Sequence, residues 1–278
     1  MVNYQRLLSD VMSRGTLRPD RTGTGTMSLF GQQLKFLNTE YVFPAVTIKR
    51  LPFRGVAGEL ASFLKGTNNL ADFQANGCRF WDKNAEHTSG SSFVPRWPGH
   101  LGRIYGEQWR AWKSLDDQGS MVVTDQLRTL VNGLKANPCG RRHLVLAYNP
   151  GELDEVCLPA CHVLFQCYSD GHTLDLLFWM RSVDLFLGLP CDIALYALLH
   201  RLLARECNLK PSMLVAQLGD AHIYMNHMDQ VREALARKPK ALPRLLLEED
   251  ARLFAFHPES VKLEGYDPHP SISAPLAQ

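Results

Sequence analysis

The sequence contains no long hydrophobic run. None of its windows approaches the roughly 18 apolar residues that cross a bilayer, and the best candidate, IALYALLHRLLA, is interrupted by His200 and Arg201. The first residues, MVNYQRLLSDVMSRG, carry charges and predict a short amphipathic helix instead of a signal peptide. We therefore expect a cytoplasmic protein with no membrane contact, in which the apolar stretch forms a buried core helix.

An excess of charge of one sign is also missing. The formal net charge is +2, and charges of both signs are interspersed along the chain. Long nucleic acids are held through their phosphates by an extended basic surface, which this composition does not supply. We expect no nucleic-acid partner, and any anionic ligand should be small and locally recognised.

Cysteine is present, but without the patterns of a disulfide framework or a zinc site. Seven cysteines are an odd number in a chain without an export signal, which favours free thiols. The closest pair, Cys157 and Cys161, has C-x3-C spacing and no second pair downstream, whereas structural zinc sites usually have two. His222 and His227 are one residue too far apart for helical i, i+4 metal ligation. We expect no metal.

No stretch rich in glycine, proline or serine is long enough to be an interdomain linker, and no internal repeat is visible. The GTG at 23–25 lacks the third glycine of a dinucleotide-binding fingerprint and precedes a strand pattern. A chain of 278 residues with 45% hydrophobic residues can bury a full core. We expect a single domain over residues 1–278.

Strand and helix patterns are mixed along the chain without a regular βαβ alternation, which predicts an α/β or α+β fold rather than a Rossmann sheet. Helical periodicity is clearest in 55–65, 122–136, 192–207 and 227–236. Runs of β-branched and aromatic residues, typical of strands, occupy 27–37, 143–149, 162–168, 173–181 and 213–218.

The segment CLPACHVLFQC, at 157–167, concentrates three thiols and a histidine. Cys161 stands at a predicted junction between a loop and a strand, where a side chain can be displayed toward a cavity, whereas Cys167 lies within the strand. Cysteine is among the most frequently buried residue types, so the segment alone fits a strand with unreactive thiols equally well. Both interpretations remain open at this point.

A second segment, WMRSVDLFLGLPCDIALYALL, favours the nucleophile. It carries Arg181, Ser182 and Asp184 ahead of a Gly-Leu-Pro turn into a helix. An arginine beside a thiol lowers the pKa of that thiol and also suits a phosphate. One site can thus activate a thiolate and hold an anionic substrate.

Motifs along the whole chain resemble the thymidylate synthase family, in the family's order. They are PDRTGTGT, GEL, YGEQWRAW, RRHLVLAYNPGELDEVCLPACH, RSVDLFLGLP, GDAHIYMNH and YDPHPSISAPLAQ. The resemblance implies a large mixed sheet flanked by helices and a homodimer with shared active sites. It also implies 5,10-methylenetetrahydrofolate as the carbon donor and a pyrimidine nucleoside monophosphate as the acceptor.

The resemblance also implies a covalent mechanism. Carbon 5 of a pyrimidine is a poor nucleophile, so a thiolate first adds to carbon 6. Cys161 matches that nucleophile, and Glu59 matches the carboxylate that organises water and moves protons around the ring. His162 matches a member of the surrounding polar network, and Tyr105 and Trp81 match positions beside the reacting ring and the folate.

The other matched positions are expected to bind the substrates. Arg21, Arg181 and Ser182 match phosphate-binding positions, His222 and Tyr224 match the pair that binds the sugar 3′-hydroxyl, and Trp81, Asp184, Lys49 and Gly188 are expected to bind the folate. Arg141 and Arg142 match the pair that reaches into the partner subunit's site.

Asp192 departs from the family, whose synthases have asparagine there. An amide can donate to the carbonyl at ring position 4 of uracil and accept from the ring nitrogen, whereas a carboxylate opposite that carbonyl sets acceptor against acceptor. Cytosine offers an amino group instead, so Asp192 predicts dCMP as the substrate. The alternative is that Asp192 only caps the helix that follows, since aspartate and asparagine are nearly interchangeable as N-caps.

Phage-type deoxycytidylate hydroxymethylases, within the same family, resemble the chain at Asp192, at Met180 in place of glutamine, and at Asn84 in place of a second tryptophan. Polar Asn84 and Gln278 would admit or order a water that captures the methylene intermediate, which favours 5-hydroxymethyl-dCMP as the product. Retention of Trp81 is compatible with hydride transfer, so a dCMP methylase is the second candidate. A thymidylate synthase and a non-catalytic RNA- or protein-binding relic are further alternatives.

Overall fold

The structure is built from helices and strands in mixed order along the chain. It is a computed structural model that describes residues 1–86 and 92–276. Gln278 therefore lies outside the described residues. The helices are α1 (Val2–Arg14), α2 (Phe53–Lys65), α3 (Leu70–Ala75), α4 (Asp82–Glu86), α5 (Tyr105–Arg110), α6 (Gln126–Ala136), α7 (Gly188–Glu206) and α8 (Met228–Ala236). The strands are β1 (Thr16–Arg18), β2 (Thr26–Phe36), β3 (Trp112–Leu115), β4 (Met121–Thr124), β5 (Leu144–Leu146), β6 (His162–Ser169), β7 (Thr173–Asp184), β8 (Lys210–Tyr224), β9 (Arg244–Leu247) and β10 (Val261–Glu264).

Six strands form one mixed sheet in the order β1-β2-β8-β7-β6-β5. The pair β7 and β8 is parallel, and the other neighbours in this sheet are antiparallel. Helices pack on this sheet, with α7 connecting β7 to β8. The predicted large mixed sheet flanked by helices is therefore confirmed.

The sheet and α7 bury their apolar residues against each other. In β7 every second residue from Leu174 to Met180 is buried, as expected for a strand with one face in the core. The helix α7 is apolar on most of its surface, which is typical of a helix in the centre of a core. The rings of Phe178 and Tyr196 stack across this interface with centroids 4.2 Å apart. This contact holds the middle of α7 against the middle of β7.

Two predicted helices differ from the observed ones at their amino-terminal ends. Residues 122–124 of the first belong to β4, and the helix begins at Gln126, where the Asp125 carboxylate accepts a hydrogen bond from the backbone N–H of Arg128 at 2.9 Å. The second, α7, begins at Gly188, and its N-cap is Leu187 without a side-chain cap. Asp192 therefore lies inside α7, and the hypothesis that it caps the helix is wrong.

None of the helices within residues 1–86 and 92–276 combines the length and the apolar composition needed to cross a membrane.

Gly58 allows α2 to lie against the backbone that follows α3. A Cβ atom at this position would be 2.2 Å from the carbonyl oxygen of Asn76 and 3.2 Å from the nitrogen of Cys78. Both neighbours are backbone atoms, so neither can turn aside as a flexible side chain would. Because Glu59 is the next residue on α2, this close approach also sets the position of its carboxyl group.

We expect Gly58→Ala to lower the free energy of unfolding by about 1–3 kcal/mol, because the added methyl forces two backbone segments apart. Urea denaturation measures this change. Gly151→Ala is the matched control, since its Cβ would meet only the Asn149 side chain at 3.6 Å. Equal stability of the two variants would contradict the close packing of α2.

Candidate active site

A cavity of about 810 Å³ lies between α2, the start of α7 and the carboxy-terminal segment. The sequence-predicted residues that line it are Lys49, Glu59, Asp184, Gly188 and Asp192. Further lining residues are Val46, Arg50, Leu51, Pro52, Arg79, Phe80, Asp82, Lys83, Leu187, Pro190, Cys191, Ser271, Ile272 and Leu276. The walls are mainly apolar, and the charged groups gather at a few points, as in many small-molecule sites.

Cys161 immediately precedes β6, and its backbone is held by two neighbours. Its backbone N–H donates to the Tyr105 hydroxyl at 2.7 Å, and its carbonyl accepts from the backbone N–H of Arg181 at 2.9 Å. The guanidinium of Arg181 donates to the carbonyls of Ala160 at 2.8 Å and Pro159 at 2.9 Å. Arg181 therefore fixes the loop that presents the Cys161 side chain.

The arginines near Cys161 lower the pKa of its thiol, as predicted, but the net pKa is raised. Burial raises the pKa of Cys161, and this effect outweighs the lowering by the positive charges of Arg181 and Arg21. The negative charge of Asp192 adds to the rise. The arginines act in the predicted direction, but a buried thiol needs more compensation than they provide.

The remaining thiols of this segment are buried more deeply in the core. Burial raises the pKa of Cys157 to about 12 and that of Cys167 still further. All seven cysteines are free. Among the three cysteines of the segment, only Cys161 is partly exposed, while Cys157 and Cys167 are buried.

Asp192 and His162 form a buried pair. The Nε2 atom of His162 lies 3.0 Å from Oδ1 of Asp192, and the His162 ring stacks on Tyr105 with centroids 4.5 Å apart. The Nδ1 atom of His162 is buried without a hydrogen-bond partner among the described residues. An ionised carboxylate only accepts, so Nε2 carries the proton in this bond. Met180, buried on β7, is the strand partner of His162.

Glu59 points from α2 toward the same pair. Its Oε1 atom accepts a hydrogen bond from Nε1 of Trp81 at 2.8 Å. Burial raises the pKa of Glu59 to about 7, against the lowering effects of the Trp81 hydrogen bond and of His162, while Asp192 raises it further. A carboxyl group with this pKa exchanges its proton near neutral pH.

The paired strands β7 and β8 bring Ser182, Asp184, His222 and Tyr224 to one end of the sheet. Asp184 is the strand partner of His222, and Oδ1 of Asp184 accepts from the backbone N–H groups of Phe186 at 2.8 Å and Leu187 at 3.1 Å. The rings of His222 and Tyr224 meet edge to face at 5.1 Å. Ser182, two residues before Asp184, is half-buried.

Lys49 is a buried cation at the cavity wall. Its Nζ atom lies 4.3 Å from the centre of the Phe186 ring, and burial lowers its pKa. It makes no hydrogen bond or salt bridge within residues 1–86 and 92–276. Gly188 also lines the cavity, and a Cβ atom at this position would be 3.5 Å from Oδ2 of Asp192.

The three other predicted arginines are exposed. Arg21 stands in a turn held by Asp20, whose carboxylate accepts from the backbone N–H groups of Thr22 at 3.0 Å and Gly25 at 2.7 Å. The positive charge of Arg21 lowers the pKa of both Cys161 and Tyr224, which indicates that Arg21 lies near these two residues. Arg141 and Arg142 are outside the cavity lining of this chain, and their role in a partner's site stays a prediction.

Some residues of the site were not predicted from the sequence. Tyr196 follows Asp192 by one helical turn on α7, and its ring lies 5.4 Å from that of His162. Cys191 and Leu276 line the cavity. The i, i+4 spacing of Asp192 and Tyr196 would have indicated a shared helix face. Asn84 is half-buried in α4 and outside the cavity lining, although its neighbours Asp82 and Lys83 belong to it.

A cavity with a thiol beside it, buried carboxyl groups and arginines is typical of an enzyme that acts on a small anionic substrate. In the described part of the chain, no His, Cys, Asp and Glu side chains are grouped so as to hold a metal ion. The family model for thymidylate synthase matches residues 2–278, and the chain therefore belongs to the thymidylate synthase family. It is a folate-dependent one-carbon transferase that acts on a pyrimidine nucleotide.

We expect Glu59 to make stability depend on pH. Its folded-state pKa of about 7 exceeds the ordinary value of 4.5, so between these values the folded state binds more protons than the unfolded state. Stability is therefore lost as pH rises through this window, by roughly 3 kcal/mol, and levels off above it. The Glu59→Gln variant should lack this loss in urea titrations at several pH values. A control, Glu249→Gln, should keep it, and an identical profile in all three proteins would contradict the shifted pKa.

Proposed function

We propose that the protein transfers the one-carbon unit of 5,10-methylenetetrahydrofolate to carbon 5 of dCMP and releases 5-hydroxymethyl-dCMP. One molecule of water supplies the hydroxyl group, and tetrahydrofolate is the second product. The observation that supports this proposal most directly is the Asp192 carboxylate, which lines the cavity and accepts from His162.

The His162–Asp192 bond supports the choice of cytosine. Because Nε2–H of His162 donates to one carboxylate oxygen, the carboxylate stays an acceptor toward the base. The amino group of cytosine donates to such an acceptor, whereas the carbonyl of uracil would leave two buried acceptors facing each other. A mismatch of this kind can lower kcat/KM for the wrong base relative to the right one by a factor on the order of 10⁴.

Cys161 is the proposed nucleophile. Its sulfur adds to carbon 6 of the base, and the electron pair displaced to carbon 5 attacks the methylene carbon. The pKa of the resting thiol is raised, so ionisation needs the nearby charges of Arg181 and Arg21. These two arginines and Ser182 are the proposed phosphate ligands, with His222 and Tyr224 at the deoxyribose 3′-hydroxyl.

Glu59 is the proposed proton carrier. With a pKa of about 7 it can accept the carbon 5 proton and return it in the later steps. The hydrogen bond from Trp81 holds the carboxyl in place, and Tyr105 holds the backbone of Cys161. Nucleophile and proton carrier are thus fixed on different elements before the substrate arrives.

The cavity suits a folate in size and in charge. A volume of about 810 Å³ with mainly apolar walls accommodates a large, flat, aromatic ligand. Lys49, which lines the cavity and forms no salt bridge among the described residues, supplies a positive charge for the carboxylates of the folate tail. Asp184 and Gly188, also in the lining, are the proposed contacts for the pterin side, next to Trp81.

Capture by water, rather than hydride transfer, is proposed from Asn84. A half-buried amide on α4 supports an ordered water where a large indole would exclude one. A dCMP methylase is the second candidate, and the observation that favours it is Trp81, which is buried and hydrogen-bonded to Glu59. A non-catalytic relic is disfavoured because none of the catalytic groups Cys161, Glu59, Arg181 and Asp184 is missing.

We also propose a homodimer, the usual state in this family. Leu164, Leu177 and Trp179 lie on the face of the sheet opposite α7 and are only half-buried. A second copy packed on this face would bury them. Arg141 and Arg142, just before β5, would then reach the phosphate site of the partner.

Asp192→Asn should shift substrate preference from dCMP toward dUMP. An amide can donate to the uracil carbonyl, so we expect the ratio of kcat/KM for the two nucleotides to change by roughly 10²–10⁴-fold. Steady-state kinetics with each nucleotide measure the ratio. The control is Asp229→Asn, at an exposed position on α8, which should leave the ratio unchanged. An unchanged ratio in Asp192→Asn would reject the base-reading role.

The product distinguishes the two candidate reactions. With dCMP and methylenetetrahydrofolate, we expect a product in which a hydroxymethyl group has replaced the hydrogen at carbon 5 of dCMP. Mass spectrometry identifies this product, and the dihydrofolate absorbance should not rise. A methylated product together with that rise would establish the methylase instead.

Cys161→Ser should reduce turnover by several orders of magnitude and leave dCMP binding largely intact, because the hydroxyl is a much weaker nucleophile. Cys157→Ser, in the same segment, should remain active. With 5-fluoro-dCMP and the folate, mass spectrometry should find the adduct on the peptide that contains Cys161. Full activity of Cys161→Ser, or no adduct, would refute the covalent mechanism.

A further inference from the structure

His227 is a buried histidine that none of the steps above uses. It ends a short 3-10 turn, Met225–His227, that directly follows β8. Its side chain is fully buried, and its Nε2 atom lies 2.6 Å from the carbonyl oxygen of Pro275. A carbonyl only accepts, so Nε2–H of His227 is the donor.

The segment that His227 contacts forms part of the cavity wall. Ser271, Ile272 and Leu276 line the cavity on the side opposite α2. Ile272 packs partly against the core, whereas Leu276 is about half exposed, at 45%. The segment 271–276 therefore covers the cavity with little apolar burial of its own.

Other hydrogen bonds hold the chain only upstream of this segment. The backbone N–H of His269 donates to Thr47 at 2.8 Å, and the Arg237 guanidinium donates to Pro270 at 2.6 Å. Within the described residues, 271–276 make a single hydrogen bond, the one from His227 to Pro275. This bond decides whether the end of the segment stays on the cavity.

His227 also lies beside two residues expected to bind substrates, Tyr224 and Asp184. Its ring meets that of Tyr224, a proposed sugar ligand, edge to face at 5.6 Å, and that of Phe186 at 5.8 Å. Its Nδ1 atom is 3.9 Å from Oδ1 of Asp184, too far for a hydrogen bond. The imidazole thus sits between the nucleotide end of β8, the Asp184 turn and the carboxy-terminal segment.

We propose that His227 is a positioning residue that fastens segment 271–276 over the cavity through Pro275 and thereby sets the affinity for folate. The bond ties the segment to β8, the strand that carries His222 and Tyr224. The folate-side wall is consequently positioned by the nucleotide-side strand. The proposal rests on folate use, which family membership supplies, and it is independent of which pyrimidine base is bound.

The test compares two substitutions that differ in the donor. In His227→Phe the ring remains but the donor is lost, whereas in His227→Gln the amide nitrogen can take the place of Nε2. We expect His227→Phe to weaken tetrahydrofolate binding in the presence of dCMP by about fivefold to tenfold, the effect of one hydrogen bond. Affinity for dCMP alone should change by less than about twofold.

A second readout does not depend on folate. Cleavage within 271–276 by a nonspecific protease should be faster in His227→Phe by a similar factor, about fivefold to tenfold, and near the wild-type rate in His227→Gln, because the segment must leave the protein surface to enter the protease. His200→Phe is a control matched in burial, because the fully buried His200 contacts the carbonyl of Leu174 at 2.6 Å, away from the segment. It should lower thermal stability without changing the rate of cleavage within 271–276 or the affinity for tetrahydrofolate.

An unchanged rate of cleavage within 271–276 and unchanged tetrahydrofolate affinity in a folded His227→Phe protein would overturn the proposal. Equal losses in His227→Phe and His227→Gln would also overturn it, because the ring rather than the donor would then matter. Both readouts can be run with dUMP in place of dCMP, so an incorrect assignment of the base would leave the result interpretable.

Discussion

The pairing of β7 with its two neighbours is the constraint on which the site depends. On one side, antiparallel pairing with β6 sets Met180 opposite His162 and brings the backbone of Arg181 to that of Cys161. On the other side, parallel pairing with β8 sets Asp184 opposite His222. A shift of one residue in either register would turn these side chains to the opposite face. The large apolar surface buried between the sheet and α7 holds both registers.

Burial raises the pKa of Cys161 and that of Glu59, and it does so for the same reason. A thiolate and a carboxylate both lose solvation when they are buried, so both groups favour their neutral forms. The charges of Arg181 and Arg21 partly offset this effect at Cys161. The site therefore holds both groups in place mainly in their neutral forms, and the two arginines are the charges that favour ionisation of the thiol.

Asp192 links the two halves of the site. It stands on α7, contacts His162 on β6 and raises the pKa of both Cys161 and Glu59. A negative charge in this position opposes ionisation of its neighbours, a cost that would be relieved by a base with an amino group as hydrogen-bond donor. In the proposed mechanism, one carboxylate would connect specificity with reactivity, since the charge proposed to select the base also raises the pKa of the proposed nucleophile.

Local patterns in the sequence were sufficient for the fold class, for the long strands β2, β6 and β7, and for family membership, because periodicity and extended motifs report directly on burial and on backbone conformation. They were not sufficient for the helix boundary at Gly188, where tertiary packing extends α7 by a turn and removes Asp192 from the capping position. Nor could they indicate whether the pKa of Cys161 is raised or lowered. Burial and the charge of Asp192 raise this pKa, the charge of Arg181 lowers it, and the balance depends on the folded arrangement. The contact between His227 and Pro275 joins residues 48 positions apart in the chain, so only the folded arrangement brings the donor to its acceptor.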